Sequence, residues 1–267
     1  MLKQNYKVLI KGAGDLATGI ACRLFESGFS VLMTEIENPT SIRRTVAFSE
    51  AVYSDSAYVE GINAVLCSDI LECETALKRG NIALIVDKNA SVKDLWKPDV
   101  IVDAILAKKN LGLSISDAPI TIGVGPGFFA QKDCHCVIES QRGHYLGKCL
   151  YYGSAEANTG VPGNIGGYSL ERLLKAPSAG VFHSKLSIGD YVNKGDIVAY
   201  VDQNPVFATI DGILRGILMN GLKVHYNMKI GDIDPRSEKK HCFSISDKAR
   251  SISGGVLEAI LKLGKNI

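Results

Sequence analysis

Residues 7–20 read KVLIKGAGDLATGI, and the way this stretch folds decides how the rest of the chain is read. Residues 7–12 have the apolar density of a buried strand, and residues 16–27 have helical spacing. Between them, Gly12-Ala13-Gly14-Asp15-Leu16-Ala17 fits the G-x-G-x-x-G/A turn, whose glycines let a phosphate approach the amides of a helix N-terminus. Glu35 stands 21 residues beyond Gly14, at the end of the next apolar run, where an acid can accept from a ribose hydroxyl. Asp15 opposes that reading, because a carboxylate at the head of the helix can cap those amides and repels a pyrophosphate.

Outward from this turn, residues 63–67, 82–86 and 100–103 read as further strands, with a helix over 68–79. The alternation predicts an α/β fold, a Rossmann-like parallel sheet with helices on its faces. Residues 120–124 form another expected strand ending at Gly125-Pro126-Gly127, and 134–140 with 145–152 look like a hairpin. A glycine-rich stretch, 158–167, follows as a loop or linker. Residues 180–202 then align without gaps with 212–234, an offset of 32 that pairs Gly180 with Gly212, Gly189 with Gly221 and Asp202 with Asp234. Each copy is too small to bury a core alone. The order of turns resembles the lipoyl/biotinyl-like barrel-sandwich fold, but Gln203-Asn204-Pro205-Val206, between the copies, has no lysine to carry a cofactor. The expected organisation is a Rossmann-like nucleotide-binding-type domain with a β-hairpin extension over 1–170, a small all-β barrel-sandwich domain over 176–236, and a C-terminal helix over 244–267 packing back on the first domain.

Composition narrows the partners. With 46% hydrophobic and 22% charged residues the chain is a globular protein, and a net charge of +2 argues against nucleic acid. No apolar run has the length of a membrane span and no signal-peptide pattern opens the chain, so a cytoplasmic protein is expected. Seven cysteines without framework spacing fit reduced thiols there. Homo-oligomerisation stays open.

Several clusters could carry chemistry. Arg43-Arg44, near Glu35 in sequence, could clamp a phosphate or carboxylate, or sit in a surface network with glutamates. Asp103 and Lys108 lie just beyond a strand, where open α/β sheets place ligands. Gly125-Pro126-Gly127 shapes a loop at another strand end. His135 and Glu139 share one face of an extended strand, and His144 opens the facing arm, so these three could converge for acid–base work or for a metal. No metal-ligand spacing is matched, and no metal is expected. Asp247 could cap the last helix.

The stretches KGAGDLATGIA, EIENPTSIRRTVAFSEAVY, VDAILAKKNLG, DAPITIGVGPGF, VIESQRGHYLG, NTGVPG, IGDIDPR and ISDKARSISGGVLEAIL, spread over residues 7–263, resemble the selenium-dependent molybdenum hydroxylase accessory proteins of the YqeB family. The resemblance implies a maturation factor for such a hydroxylase, with that enzyme or its cofactor-assembly proteins as partners. It supplies no catalytic residue. Together with the glycine turn it leads to an expected nucleotide, dinucleotide or molybdopterin-type ligand. An NAD-dependent oxidoreductase using His135 or Lys108, and a scaffold without catalysis, are the alternatives.

Overall fold

The computed structural model describes residues 6–266, which divide into two compact units. One holds the described residues up to Pro39, Ala47–Thr159 and those from Ile245 onward; the other holds Thr40–Val46 and Gly160–Ser244.

The first unit is built on one nine-stranded sheet. In chain order its strands are β1 (Lys7–Lys11), β2 (Ser30–Glu35), β3 (Ser56–Val59), β4 (Ile62–Cys67), β5 (Ile82–Val86), β6 (Val100–Asp103), β7 (Ile120–Val124), β8 (Cys136–Ile138) and β9 (Cys149–Leu150). They lie in the order β3-β4-β5-β2-β1-β6-β7-β8-β9. The inner strands run parallel, and their near-continuous apolar runs are buried on both faces, as in β7, where all five residues are buried. β3 and β9 pair antiparallel at the two edges. The β3–β4 turn is Glu60-Gly61, both at positive φ (48° and 91°), the geometry that a two-residue hairpin requires. Helices α1 (Asp15–Glu26), α2 (Ala51–Ser54), α3 (Ile70–Lys78), α4 (Lys93–Trp96) and α5 (Asp247–Leu263) complete the unit. α5 packs closely along α1: a methyl on Gly19 would come within 2.7 Å of Ala249 Cβ. Ser246 caps α5 by accepting from the Ala249 amide, while Asp247 receives both terminal nitrogens of Arg142 at 2.5 and 2.7 Å. The cap is therefore Ser246 and not Asp247. Among the described residues, no helix is long and apolar enough to cross a membrane.

The second unit contains β10 (Leu173–Lys175), β11 (Gly180–Ser184), β12 (Tyr191–Val192), β13 (Ile197–Val201), β14 (Asn204–Phe207), β15 (Gly212–Ile217), β16 (Lys223–Val224) and β17 (Lys229–Asp234). They form two four-stranded antiparallel sheets, β10-β17-β15-β12 and β14-β13-β11-β16. The 32-residue repeat is legible in them strand for strand: β11, β12 and β13 recur as β15, β16 and β17. The copies exchange their short second strands, β12 pairing with β15 and β16 with β11. One core, with Phe182, Val198 and Val201 from the first copy and Leu214, Ile230 and Ile233 from the second, is the result.

The fold class expected from the sequence is corrected by this topology. A Rossmann-like parallel sheet followed by a single lipoyl/biotinyl-like barrel-sandwich does not describe the chain, which has a large mixed sheet and two separate antiparallel sheets. The physical reason lies in the connections. Between β6 and β7 there is only a three-residue 3₁₀ turn, Ile115–Asp117, and Leu106 and Lys108 stand in left-handed conformation, so no crossover helix forms there. Residues 125–135, between β7 and β8, are likewise without a helix, their glycines and proline breaking it. In the second unit β10 and β14 join from outside the repeated strands, and Ile42 of the 40–46 segment accepts from Ile217 N.

Candidate functional site

The carboxyl ends of β1, β6, β7 and β8 bring several of the sequence-predicted residues together. Gly12 (φ +91°) follows β1, and a Cβ there would lie 3.2 Å from Ala104 O and from Ile105 Cα, in the loop that follows β6. Gly127, after β7, would place a Cβ 2.5 Å from Lys109 N in that same loop. Gly125 N donates to Ile138 O of β8, and a Cβ on Gly125 would lie 2.5 Å from Ser140 Oγ. The loops after four neighbouring strands thus interlock where side chains are absent. Pro126 sits half-buried between the two glycines.

At the first of these turns the N-cap of α1 is Gly14, which offers no side-chain cap; Asp15 is the first helical residue, half-buried, with Leu16 and Ala17 buried behind it. Glu35 Oε2 accepts from Ala13 N at 2.9 Å and Oε1 from Ile36 N at 2.8 Å. Its carboxylate ties the turn to the end of β2 in place of a ribose hydroxyl. Burial pushes its pKa up, against the two amide hydrogen bonds that favour the charged form. A phosphate at this turn must use amides further into the first turn of α1.

Beneath the turn, Lys11 Nζ meets Asp103 Oδ2 at 2.9 Å, both side chains being more than nine-tenths buried. Sequence reading named Asp103 but missed Lys11. The signal was a cation closing the apolar run 8–10, which at a buried strand end demands a partner. Lys108 is exposed on the loop after β6, at φ 62°. Two non-glycine residues in left-handed conformation in one short loop mark a backbone held there by its surroundings.

Of the other predicted residues Glu139 lies at this end of the sheet and His135 does not. His135 precedes β8 at the amino edge of the sheet, its Nδ1 accepting from Thr121 N at 3.0 Å and paired with Thr121 Oγ1 at 2.9 Å. Burial lowers its pKa. Glu139 follows β8 at the opposite edge, about 13 Å along the strand direction, with Oε1 accepting from Gln141 N and Oε2 from Glu156 N. His144 stands on the exposed turn that joins β8 to β9, edge-on to Tyr145. The three do not converge, and among the described residues no group of three or more histidines, cysteines or carboxylates is placed to hold a metal. Arg43 belongs to the second unit, buried, donating to the His241 and Ser244 carbonyls at 2.9 and 3.0 Å; Arg44 opens a 3₁₀ turn beside it. Arg43 is a brace for the 238–244 turn. Cys134 is buried and its thiol pushed up to about 11, chiefly by desolvation, which leaves it a weak nucleophile.

No protein-family model matches the chain. Solved structures with some likeness include an aspartoacylase family protein of Mesorhizobium loti (12% identity, TM-score 0.27, 86% of this chain and 85% of that one). Two others are the ectoine utilization protein EutE of Ruegeria pomeroyi (10%, 0.26, 86% and 85%) and a succinylglutamate desuccinylase/aspartoacylase of Rhodobacter sphaeroides (14%, 0.27, 86% and 85%). At such scores nothing of their chemistry carries over. The uncharacterized protein YqeB of Escherichia coli K12 is 50% identical over 256 residues, 96% of this chain but 47% of YqeB, so the chain spans about half the length of that relative. Half of the residues of this chain are thus shared with YqeB over nearly all of its own length.

Proposed function

We propose that this chain binds a nucleotide, dinucleotide or molybdopterin-type ligand at the carboxyl end of the mixed sheet. In this reading it acts in the cytoplasm as an accessory or maturation factor for a selenium-dependent molybdenum hydroxylase, with that enzyme or its cofactor-assembly proteins as partners. The observation that carries the ligand reading is the interlocking of Gly12, Gly125 and Gly127 with the loops after β6 and β8. Glycines at the ends of β1 and β7 let these loops close against their neighbours at the carboxyl end of the sheet, where open sheets receive ligands. The hydroxylase context rests on the family resemblance, and it is proposed for a chain that spans about half of its relative.

An NAD-dependent oxidoreductase is the weaker reading. Glu35 already serves two backbone amides, and His135 lies at the far edge of the sheet. Thermal unfolding with ADP, GDP, NAD⁺, pyrophosphate and a molybdopterin dinucleotide tests the proposal. A ligand at a hundredfold excess over its Kd stabilises by about 2.7 kcal/mol. The expected result is such an upward shift with at least one phosphate-bearing ligand, lost in Gly12→Val. Unchanged melting with every compound would leave a non-catalytic scaffold.

A further inference from the structure

Beside the Gly125 loop lies an open depression of about 470 Å³, within the size range of small-molecule sites, lined by Glu139, Tyr145, Lys148, Leu150, Ser154 and Glu156. Glu139 is the hub that builds it. Its side chain is buried, its amide donates to Lys148 O at 3.0 Å, and its Oε2 accepts from Glu156 N at 2.8 Å. One buried residue therefore fixes the backbone of both charged residues of the rim. The Lys148 ammonium lies 4.6 Å from the centre of the Tyr145 ring, and Tyr145 is 57% exposed. The rim thus presents an aromatic plane, one cationic donor and one carboxylate acceptor.

We propose that this depression is a base-binding subsite for a fused heterocycle whose edge carries a carbonyl, a ring N–H and an amino group in a row, as guanine and the pterins do. The carbonyl would accept from Lys148, and the N–H and amino group would donate together to the Glu156 carboxylate, a charge-assisted bidentate pair. Tyr145 supplies a stacking surface. Adenine, which offers an amino donor beside a ring acceptor, sets a lone pair against the carboxylate and is rejected. The subsite deepens the ligand reading above and rests on it for the phosphate half. From the end of β1 to the end of β8 is three strand spacings, about 14 Å, so an extended nucleotide diphosphate would reach from one to the other.

The test is calorimetric titration of the full chain with guanosine, neopterin, adenosine, GDP, ADP and pyrophosphate, repeated with Glu156→Gln and Lys148→Met after their folding is checked by circular dichroism. The expected result is binding of guanosine and neopterin, adenosine being weaker, with a roughly ten- to hundredfold loss in Glu156→Gln. GDP and ADP binding equally, with guanosine and neopterin silent or Glu156→Gln without effect, overturns the base subsite and leaves the phosphate reading standing. Guanosine binding as tightly as GDP, with pyrophosphate silent, keeps the subsite and removes the phosphate reading. Silence across the panel ends both.

Discussion

Lys11 and Asp103 are register partners on adjacent parallel strands, and their side chains meet at 2.9 Å where both strands end beneath the glycine turn. Neither charge has water to fall back on. Removing one partner of a buried pair strands the other, at a cost of about 3–5 kcal/mol, whereas replacing both by apolar groups is often neutral. Lys11→Met is therefore expected to destabilise by that amount in urea unfolding, and Lys11→Met with Asp103→Leu to recover most of it. A double variant as unstable as the single one would show that the pair does more than neutralise itself.

His135 gives a pH dependence of known sign. Its Nδ1 accepts from a backbone amide, so the neutral ring carries its proton on Nε2, and burial lowers its pKa below the ordinary 6.5. The unfolded chain then binds the proton more readily than the native one. The contribution is intact above pH 6.5 and is lost as pH falls through the lowered native value. In His135→Gln, whose side-chain oxygen can still accept from Thr121, the difference in unfolding free energy from the parent should shrink on acidification. A difference that is flat between pH 7 and pH 5 would refute the assignment.

The strand–turn–helix at Lys7–Glu26 and the 32-residue repeat could be read from sequence because their signals are local: apolar period, glycine spacing and self-similarity. The sheet as a whole could not. β3 is a short edge strand, half of it exposed, which carries no apolar run to announce it. The missing crossover helices depend on left-handed residues such as Leu106 and Lys108, whose types do not advertise that conformation. The site divides in the same way. Gly12 and Gly125 were visible as motif residues, but Lys11, Ser140, Lys148 and Glu156 acquire meaning only when neighbouring strand ends are side by side. His135 and Glu139 flank β8, and their even spacing does not say that they stand at its two opposite ends.

Gly254 and Gly255 are adjacent in α5 and should respond oppositely to alanine. A methyl added at Gly254 meets nothing within 4 Å, so Gly254→Ala is expected to stabilise by roughly 1 kcal/mol through helix propensity. At Gly255 the methyl would run into the Gly147 carbonyl oxygen, and Cys149 Sγ donates to Gly255 O at 3.1 Å from the same side. Gly255→Ala must push α5 away from the 143–149 turn. Thermal melts of the two variants should move in opposite directions; a shared direction would mean that propensity or packing alone governs this helix.

Asp202 and Asp234 occupy the same position in the two repeat copies, but the structure gives them different work. Asp202 is exposed, and its Oδ1 accepts from Val181 N. Asp234 is 1% exposed and receives Arg236 through Nε at 3.0 Å and a terminal nitrogen at 2.6 Å, with Arg215 at 3.6 Å. Burial by itself would raise the Asp234 carboxyl, but the hydrogen bonds from Arg236 and the charge of Arg215 overcome it and hold the group below the usual carboxylate range. Since the native state then binds its proton less readily than the unfolded chain, this contribution is present above the ordinary value of 3.8 and is lost as pH falls through the lowered one. Asp234→Asn should therefore be strongly destabilising at neutral pH and progressively less so toward acid, whereas Asp202→Asn should cost a fraction as much. Equal losses for the two variants, measured by denaturant unfolding across that pH range, would show that the repeat position and not the arginine network sets the energy.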